Sequence, residues 1–403
     1  TWGNGTSGVA GNITSSNSLV GATGYDRVGS SLVALSNGNY LVGCSTWDNG
    51  SVVDAGAVSW GNGMGGTTGP VSAANSLVGS RTADRLGDWF YPAIELANGN
   101  YVVSSPNWDL DDTHPDVGAI TWGNGATGVV GPLSPANSLV GSKSGDHVGR
   151  SVIVLTNGNY VVSSPLWSAD DTALQAGAVT WGSGTTGVSG TVSAVNSLVG
   201  SRLFDNVGDE VIALSNGNYV VSSPYWSADD SAVNTGAVTW GDGTRGITGL
   251  VSTANSLYGI PGTAAGGGGV IALANGNYAV STPAWSLGPF TPPNIGAVTW
   301  GNGMGGTVGQ ISKANSLVGI ETYDRVGDGG LYALTNGNFV FVTPYTWHDS
   351  TGAVTWVDGS QMTAGEVSAA NSLIGSTADD DVGGGGVIPL TNGNFLVISP
   401  EWD

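Results

Sequence analysis

The chain has little charge, few basic residues and one cysteine. Of its 403 residues, 10% are charged, nine are Lys or Arg and thirty are Asp or Glu, which gives a net charge of −21. A surface of this sign repels phosphate backbones and anionic lipids, so neither nucleic-acid binding nor membrane-surface binding is expected. A lone Cys44 excludes an intrachain disulfide. No apolar run approaches 18 residues, so no membrane-spanning helix is predicted.

Glycine and hydrophobic residues are abundant instead. The chain contains 69 glycines and is 40% hydrophobic. The glycines show no collagen-like period of three, and a disordered chain would hold fewer apolar residues. Acidic residues are nearly all Asp, which prefers turns. This composition favours an all-β protein with tight turns.

Three sequence markers repeat seven times along the chain. The string NSLVG or a close variant recurs every 56 to 62 residues, and each copy is accompanied by an NGN motif and by a Trp that follows Val and Ser or Thr. The NGN motifs begin at Asn37, Asn98, Asn157, Asn216, Asn275, Asn336 and Asn392. Markers that agree on one period identify a repeat architecture.

One repeat predicts four antiparallel strands, A to D. In residues 205–257, VGDEVIALS predicts strand A, Asn216–Gly217 a two-residue turn of type I′, NYVVSSPYW strand B, GAVTWGDG strand C and LVSTANSLYG strand D. A unit of about 58 residues cannot bury both faces of its sheet alone. Repetition around an axis solves this, so the sequence predicts a seven-bladed β-propeller. A linear solenoid or a string of separate domains is the alternative.

The two ends of the chain predict how the ring closes. The chain begins within strand C and ends after strand B. We therefore expect one domain over residues 1–403, with a closing blade made from residues 1–22 and 376–403. The opening TWGNG shows no signal peptide, and we interpret the chain as a piece of something larger.

The repeat resembles the FG-GAP repeat of integrin α-type seven-bladed propellers. The resemblance rests on DRVGSSLVALSNGNYLVGCSTWD followed by DAGAVSWGNG. The repeats are also similar over the whole chain to tandem units of large bacterial haemagglutinin-like surface adhesins, which implies an extracellular or cell-surface location and a role in adhesion. The FG-GAP calcium loop between strands A and B is replaced here by the short NGN turn, which has no carboxylate. The family's calcium sites are therefore not transferred.

We expect binding on the loops between strands B and C and between strands D and A, because these loops vary whereas the NGN turns do not. A Trp ends every B strand and either wedges between blades or stacks on a sugar ring. These are Trp47, Trp108, Trp167, Trp226, Trp285, Trp347 and Trp402.

An Asp in six of the seven D–A connections either fixes the turn or binds a cation or a sugar hydroxyl. The predicted set is Asp26, Asp84, Asp146, Asp205, Asp324 and Asp381, and the copy near residues 260–270 has none.

Two irregular segments are further candidates. The second copy inserts DWFYP, in which Asp88, Trp89, Phe90 and Tyr91 form either a ligand patch or a channel plug. The loop DLDDTHPD offers weak calcium candidates without a complete calcium-loop spacing. They are Asp109, Asp111, Asp112 and Asp116.

Enzyme function is not expected. The three histidines, His114, His147 and His348, occupy different positions of the repeat, and no zinc, serine-nucleophile, phosphate-loop or CxxC motif is present. The sequence thus predicts a non-catalytic extracellular binding or adhesion module without a cofactor, whose partner is a cell-surface glycan, a protein or a second copy. A lectin, a self-assembling fibre unit and, least favoured, a polysaccharide-degrading enzyme are the alternatives.

Overall fold

The computed structural model of the chain describes residues 1–88, 90, 93–288 and 293–403. These residues form β-strands, turns and bends, and no helix among them is long and apolar enough to cross a membrane. The all-β class predicted from composition is confirmed. The chain divides into two compact units. The first comprises Thr1–Val154, Gly158–Ser168 and Thr180–Ser197, and the second comprises Leu155–Asn157, Ala169–Val179 and Leu198–Asp403.

The strands repeat in one order along the chain, which confirms the four-strand unit; we call one set of strands A to D a module. The A strands are β2 (Ser31–Ala34), β7 (Ile94–Glu95), β12 (Ser151–Val154), β17 (Glu210–Ala213), β22 (Val270–Ala272), β27 (Leu331–Ala333) and β32 (Val387–Pro389). The B strands are β3 (Tyr40–Cys44), β8 (Tyr101–Ser105), β13 (Tyr160–Ser164), β18 (Tyr219–Ser223), β23 (Tyr278–Thr282), β28 (Phe339–Thr343) and β33 (Phe395–Val397).

Six C strands and seven D strands follow the same pattern. The C strands are β4 (Ala57–Gly61), β9 (Ala119–Gly123), β14 (Ala178–Gly182), β19 (Ala237–Gly241), β24 (Ala297–Gly301) and β29 (Ala353–Val357). The D strands are β1 (Leu19–Val20), β6 (Ser76–Val78), β11 (Ser138–Val140), β16 (Ser197–Val199), β21 (Ser256–Tyr258), β26 (Ser316–Val318) and β31 (Ser372–Ile374).

A two-residue strand that the sequence did not predict precedes each D strand from the second copy onward. We call it the link strand, because it pairs in parallel with the D strand of the preceding module, as β25 does with β21. The link strands are β5 (Gly69–Pro70), β10 (Gly131–Pro132), β15 (Gly190–Thr191), β20 (Gly249–Leu250), β25 (Gly309–Gln310) and β30 (Gly365–Glu366). Two sheets in each unit therefore have five strands, in the order A, B, C, D and the link strand of the next module.

The turn between strands A and B differs from the two-residue turn predicted. The Leu214 N–H donates to the Asn218 carbonyl at 2.8 Å, so three residues separate the paired positions. Gly217 alone of these three has a positive φ, 88°. A loop of three residues with glycine at its left-handed end is the second common hairpin solution. The type I′ prediction was wrong because Asn216 keeps an ordinary negative φ.

Both units have an apolar core between consecutive modules. In the second unit, Val220 and Val238 of one module pack with Val270 and Val280 of the next. In the first unit, Leu41 and Val58 belong to one cluster with Tyr101 and Val103. The side chains on one strand face alternate neighbours, so each sheet buries both of its faces. This is why a module has apolar residues on both sides of its strands.

Polar contacts join the modules at the edge that carries the A–B and C–D turns, which we call the asparagine edge. The Gly303 carbonyl accepts three hydrogen bonds from the preceding module, from Asn216 Nδ2 at 2.8 Å, Asn218 Nδ2 at 2.9 Å and Trp240 Nε1 at 2.9 Å. The same triple contact recurs at Gly125, Gly184 and Gly359. A turn motif predicted for its backbone geometry thus also connects modules through its side chains.

Candidate functional site

The B–C and D–A loops lie together at the opposite edge, which we call the aspartate edge. Asp84, in a D–A loop, accepts the N–H groups of Ser80 and Arg81 at 2.8 Å on one carboxylate oxygen. Its other oxygen accepts the N–H of Asp109, in the B–C loop, at 3.0 Å. One buried carboxylate therefore ties the two loops together. The predicted grouping of loops is confirmed by these bonds.

The same aspartate contact recurs in most modules. Asp146 and Asp205 each accept two N–H groups of their own D–A loop and one from the residue that follows the Trp of strand B. In the copy without Asp, the Thr263 hydroxyl accepts the Ile260 N–H at 2.9 Å instead. Among the predicted Asp residues, Asp381 is corrected to Asp380, which is buried and accepts the N–H groups of Ser376 and Thr377.

Burial and hydrogen bonding shift the pKa of these carboxylates in opposite directions. Burial favours the neutral form, and hydrogen bonds from N–H groups favour the charged form. Burial raises the pKa of Asp84 to about 6, although three backbone N–H groups act in the opposite direction. Burial also raises the pKa of Asp146, Asp205 and Asp324. For Asp380, the Thr377 hydroxyl and two backbone N–H groups lower the pKa to about 2. The carboxylate oxygens of these Asp residues accept N–H groups of the loops. These contacts support the interpretation that the residues fix the turn, rather than bind a cation or a sugar hydroxyl.

The Trp residues at the ends of the B strands are buried with one exception. Trp47, Trp108, Trp167, Trp226, Trp285 and Trp347 are at most 5% exposed. Such indoles offer no face for stacking on a sugar, so the wedge interpretation fits six of the seven residues. Trp402, in the last module, is 61% exposed. Trp347 stacks in parallel on His348, with ring centroids 4.2 Å apart.

The inserted segment of the second copy is described only in part. Phe90 is exposed, and its N–H donates to Asp88 Oδ1 at 3.1 Å. Trp89 and Tyr91 lie outside the described residues. The structure therefore leaves the choice between a ligand patch and a channel plug as a prediction.

In the acidic loop DLDDTHPD, the carboxylate of Asp111 contacts other residues of the same loop. Asp111 Oδ1 accepts the N–H of Thr113 at 2.8 Å and lies 2.8 Å from His114 Nδ1. The Thr113 hydroxyl is the main cause of a lowered pKa for Asp111.

The other carboxylates of this loop point to separate partners. Asp109 Oδ1 accepts the Asp116 N–H at 2.7 Å, and Asp112 pairs with Arg81. Asp116 itself has a left-handed backbone, with φ of 53°. Within the ranges that the structure describes, no three His, Cys, Asp or Glu side chains are placed to hold a metal ion.

Sequence reasoning missed the exposed aromatic side chains of the aspartate edge. They stand beside the recurring residues, either before the Asp of the D–A loop or before the Trp of strand B. Phe204 and Tyr323 have left-handed backbones, with φ of 61° and 68°. The exposed set is Tyr25, Phe204, Tyr225, Tyr323 and Tyr345. Bulky residues rarely adopt this conformation, so it is notable that two of the five do. Their irregular occurrence within regular loops was the signal available in the sequence.

Comparison with known proteins identifies the repeat. A family model described as a repeat of unknown function (DUF5650) matches residues 1–30, 34–88, 95–150, 154–209, 213–266, 272–328, 333–384 and 389–403. The family model thus matches eight segments where the sequence predicted seven repeats: six long segments lie between two shorter ones, at residues 1–30 and 389–403. No curated protein matches the chain. Among solved structures, the chain is similar to a candidate 6-phosphogluconolactonase from Bacteroides uniformis ATCC 8492, at 11% identity and a TM-score of 0.30, covering 88% of this chain and 87% of that one.

Proposed function

We propose that this chain, which belongs to the DUF5650 family of repeats of unknown function, is a non-catalytic scaffold that binds a partner through its aspartate edge. The contrast between the two edges carries this proposal. At the asparagine edge, the same side chains make the same contacts in module after module. At the aspartate edge, a constant set of Asp contacts holds loops whose exposed aromatic residues differ. Rigid loops with variable exposed side chains are typical of binding surfaces.

The proposed biological setting is adhesion at a bacterial cell surface or in a secreted protein. The resemblance to haemagglutinin-like adhesins and to integrin-type propellers supports this setting, together with the acidic composition and the single cysteine. The recurring Asp residues of the D–A loops support a non-catalytic role, because the oxygens of Asp84, Asp146 and Asp205 accept loop N–H groups.

We further propose that the modules form a seven-bladed ring, closed by residues 1–22 with 376–403. The apolar faces at the two ends support closure. In the first unit, a cavity of about 290 Å³ lies beside the apolar side chains of Leu19, Val28 and the exposed Leu32. In the second unit, Ile388 and Leu396 of the last hairpin are exposed.

Small-angle X-ray scattering tests the ring. A compact domain of 403 residues has a radius of gyration of about 21 Å. A clearly larger, concentration-independent value would indicate an open arc and contradict the ring. A value that grows with concentration would favour the alternative of a self-assembling fibre unit, built through the same apolar faces.

A glycan-binding role is the second candidate, because exposed tyrosines provide surfaces on which sugar rings stack. A glycan array read with calcium and with chelator tests it. We expect hits that weaken in the double variant Tyr25→Ser/Tyr323→Ser. The matched control is Met64→Ser/Met304→Ser, which removes exposed apolar side chains from the C–D turns of the asparagine edge.

The array separates the possible results. Hits lost in the tyrosine variant and kept in the methionine variant support glycan binding through the aspartate edge. Hits lost in the methionine variant contradict the assignment of glycan binding to the aspartate edge. An array without hits in either condition contradicts the glycan role and leaves a protein partner. A parallel panel of polysaccharides with product detection tests the non-catalytic assignment, which any turnover contradicts.

A further inference from the structure

Two cavities at the aspartate edge of the second unit share an unusual wall. The first, of about 290 Å³, lies between Tyr225 and the glycine run that contains Gly266, Gly267 and Gly269. The second, of about 340 Å³, lies between Tyr345 and Gly384. Each tyrosine is supplied by one module and the facing glycines by the next. The two cavities therefore occupy equivalent junctions.

The sequence pairs these two features in both places. A Tyr follows the proline at the end of strand B only at Tyr225 and Tyr345, whereas the other copies have Thr, Asn, Leu, Ala or Glu in that region. A run of four glycines directly precedes strand A only at residues 266–269 and 383–386. Each glycine run lies in the module that directly follows a tyrosine. Because the tyrosine and the glycine run occur together at both junctions, we infer that they contribute to one common site.

The glycines leave space in both cavities, beside Ser222 in the first and beside the Tyr345 ring in the second. Tyr225 and Tyr345 are 49% and 59% exposed. A Cβ atom at Gly266 would stand 2.7 Å from Ser222 Oγ, and one at Gly384 would stand 3.4 Å from the Tyr345 ring. The Tyr345 hydroxyl donates to the Gly384 carbonyl at 2.8 Å, which holds its ring across the glycine run. A side chain at Gly266 would collide with Ser222, which lines the first cavity, and a side chain at Gly384 would approach the Tyr345 ring in the second.

Carboxylates without basic partners complete both cavities. Asp209 and Glu210 line the first, and Asp379, Asp381 and Glu401 line the second, while no Lys or Arg lines either. Asp381 Oδ1 is buried and has no hydrogen-bond partner. Burial and the charges of Asp379 and Glu401 raise the pKa of Asp381, and burial and Asp209 raise that of Glu210. A positive charge that enters the cavity would offset this repulsion by its attraction to the carboxylates.

We propose that each cavity binds an organic cation, an alkylammonium or guanidinium group such as a partner protein carries on Lys or Arg. The cation lies against the tyrosine ring, whose electron-rich face attracts it, and the carboxylates neutralise its charge. The carboxylates alone would be an ordinary acidic surface. The tyrosine and the glycine run, found only at these two junctions, distinguish the cavities from it. The inference deepens the proposed binding role of the aspartate edge and rests on it.

The test uses nuclear magnetic resonance of the full, isotope-labelled chain titrated with tetramethylammonium chloride. Sodium chloride at equal ionic strength serves as the control for general screening. We expect saturable shifts of the Gly267 and Gly384 amides that sodium chloride does not produce. Tyr225→Leu should weaken binding at Gly267 by about five-fold or more and leave Gly384 unchanged, and Tyr345→Leu should do the reverse. Tyr225→Phe should retain binding.

Each cavity thus controls for the other within one sample, so a general loss of folding is recognised at once. The proposal is overturned if tetramethylammonium shifts neither amide beyond the sodium chloride control. It is also overturned if neutral tert-butanol or methyl glucoside produces the same saturable shifts, which would show an apolar or sugar site. Failure here with glycan-array hits that depend on Tyr25 and Tyr323 would leave the proposed function intact.

Discussion

An interior module and the last module place the same kind of residue in opposite environments. Leu41 on β3 and Leu396 on β33 occupy the same position of the repeat. Leu41 is 1% exposed and packs between modules, whereas Leu396 is 54% exposed. Leu77 and Leu373 on the D strands show a related contrast, at 0% and 56%, because Leu373 lies in the module that directly precedes the last one. The repeat therefore sets which face is apolar, and a neighbouring module decides whether that face is buried.

The largest expected effect tests whether this contrast persists in solution. Leu41→Ala should lower the free energy of unfolding by about 2–5 kcal/mol, because it leaves a cavity in a packed core. If the ring closes as proposed, Leu396→Ala should cost nearly as much, because closure covers that face. Urea denaturation of both variants measures the two losses. A loss below about 0.5 kcal/mol for Leu396→Ala, typical of exposed sites, would break the ring proposal.

A smaller effect is expected from the asparagines, where interior and last modules also differ. Asn218 donates to the Gly303 carbonyl at 2.9 Å and accepts the Gly243 N–H at 3.0 Å. Asn218→Asp keeps the acceptor but turns a carboxylate oxygen towards a carbonyl, which should cost about 1–3 kcal/mol.

The matched variant Asn394→Asp alters the equivalent residue of the last module. The part of the chain that the structure describes shows no such carbonyl contact for the Asn394 side chain. An open arrangement therefore predicts little change in the urea midpoint, whereas the proposed closed ring predicts a loss similar to that of Asn218→Asp. Equal losses of unfolding free energy in the two variants would have two explanations. Either the hydrogen bond from Asn218 to Gly303 adds no net stability, or Asn394 forms an equivalent hydrogen bond when the ring closes. The size of the loss separates these cases: equal losses of about 1–3 kcal/mol indicate closure, whereas equal losses near zero indicate a contact without net value.

The smallest effect concerns the aspartate edge, where the Asp84 and Thr263 copies differ. The pKa of Asp84 is raised from 3.8 to about 6 in the folded chain. The folded state therefore binds more protons between about pH 4 and 6, and the free energy of unfolding should fall as pH rises through that window. Asp84→Thr removes this fall, and Thr263→Asp should introduce one.

Thermal unfolding of wild type and both variants from pH 4 to 7 measures the difference. The contribution of Asp84 is fully present below pH 4 and lost above pH 6. A wild-type-minus-variant difference that stays constant with pH would show that the three backbone N–H groups offset the effect of burial on this carboxyl.

The sequence predicts the strand content well because the repeat is copied many times. Seven copies of NGN and NSLVG locate the A–B turn and strand D by their recurrence alone. The aspartates were predicted as turn residues by their spacing, and the single displaced assignment, Asp381 for Asp380, arose from three adjacent aspartates. Recurrence also favoured burial of the Trp residues, which six of the seven show.

The contacts between modules were beyond the sequence argument. Asn216 donates to a carbonyl 87 residues away, and no local rule reveals such a partner. A turn needs only its glycine at the left-handed position, so the recurrence of two asparagines per copy was the unused signal. The link strands were missed because two residues carry no periodicity. The exposed tyrosines of the aspartate edge follow no repeat, and only the loops around them show that they share one edge.

The triple contact at the Gly303 carbonyl has a consequence for how such a chain changes over generations. Every donor comes from one copy and the acceptor from the next, with the same residues each time. A gene that gains or loses one whole copy by unequal recombination brings a donor set and an acceptor together at the new junction. The contacts between consecutive copies are therefore kept when the copy number changes, whereas the proposed ring closes at seven copies only. The tyrosines that distinguish individual junctions are shuffled among them.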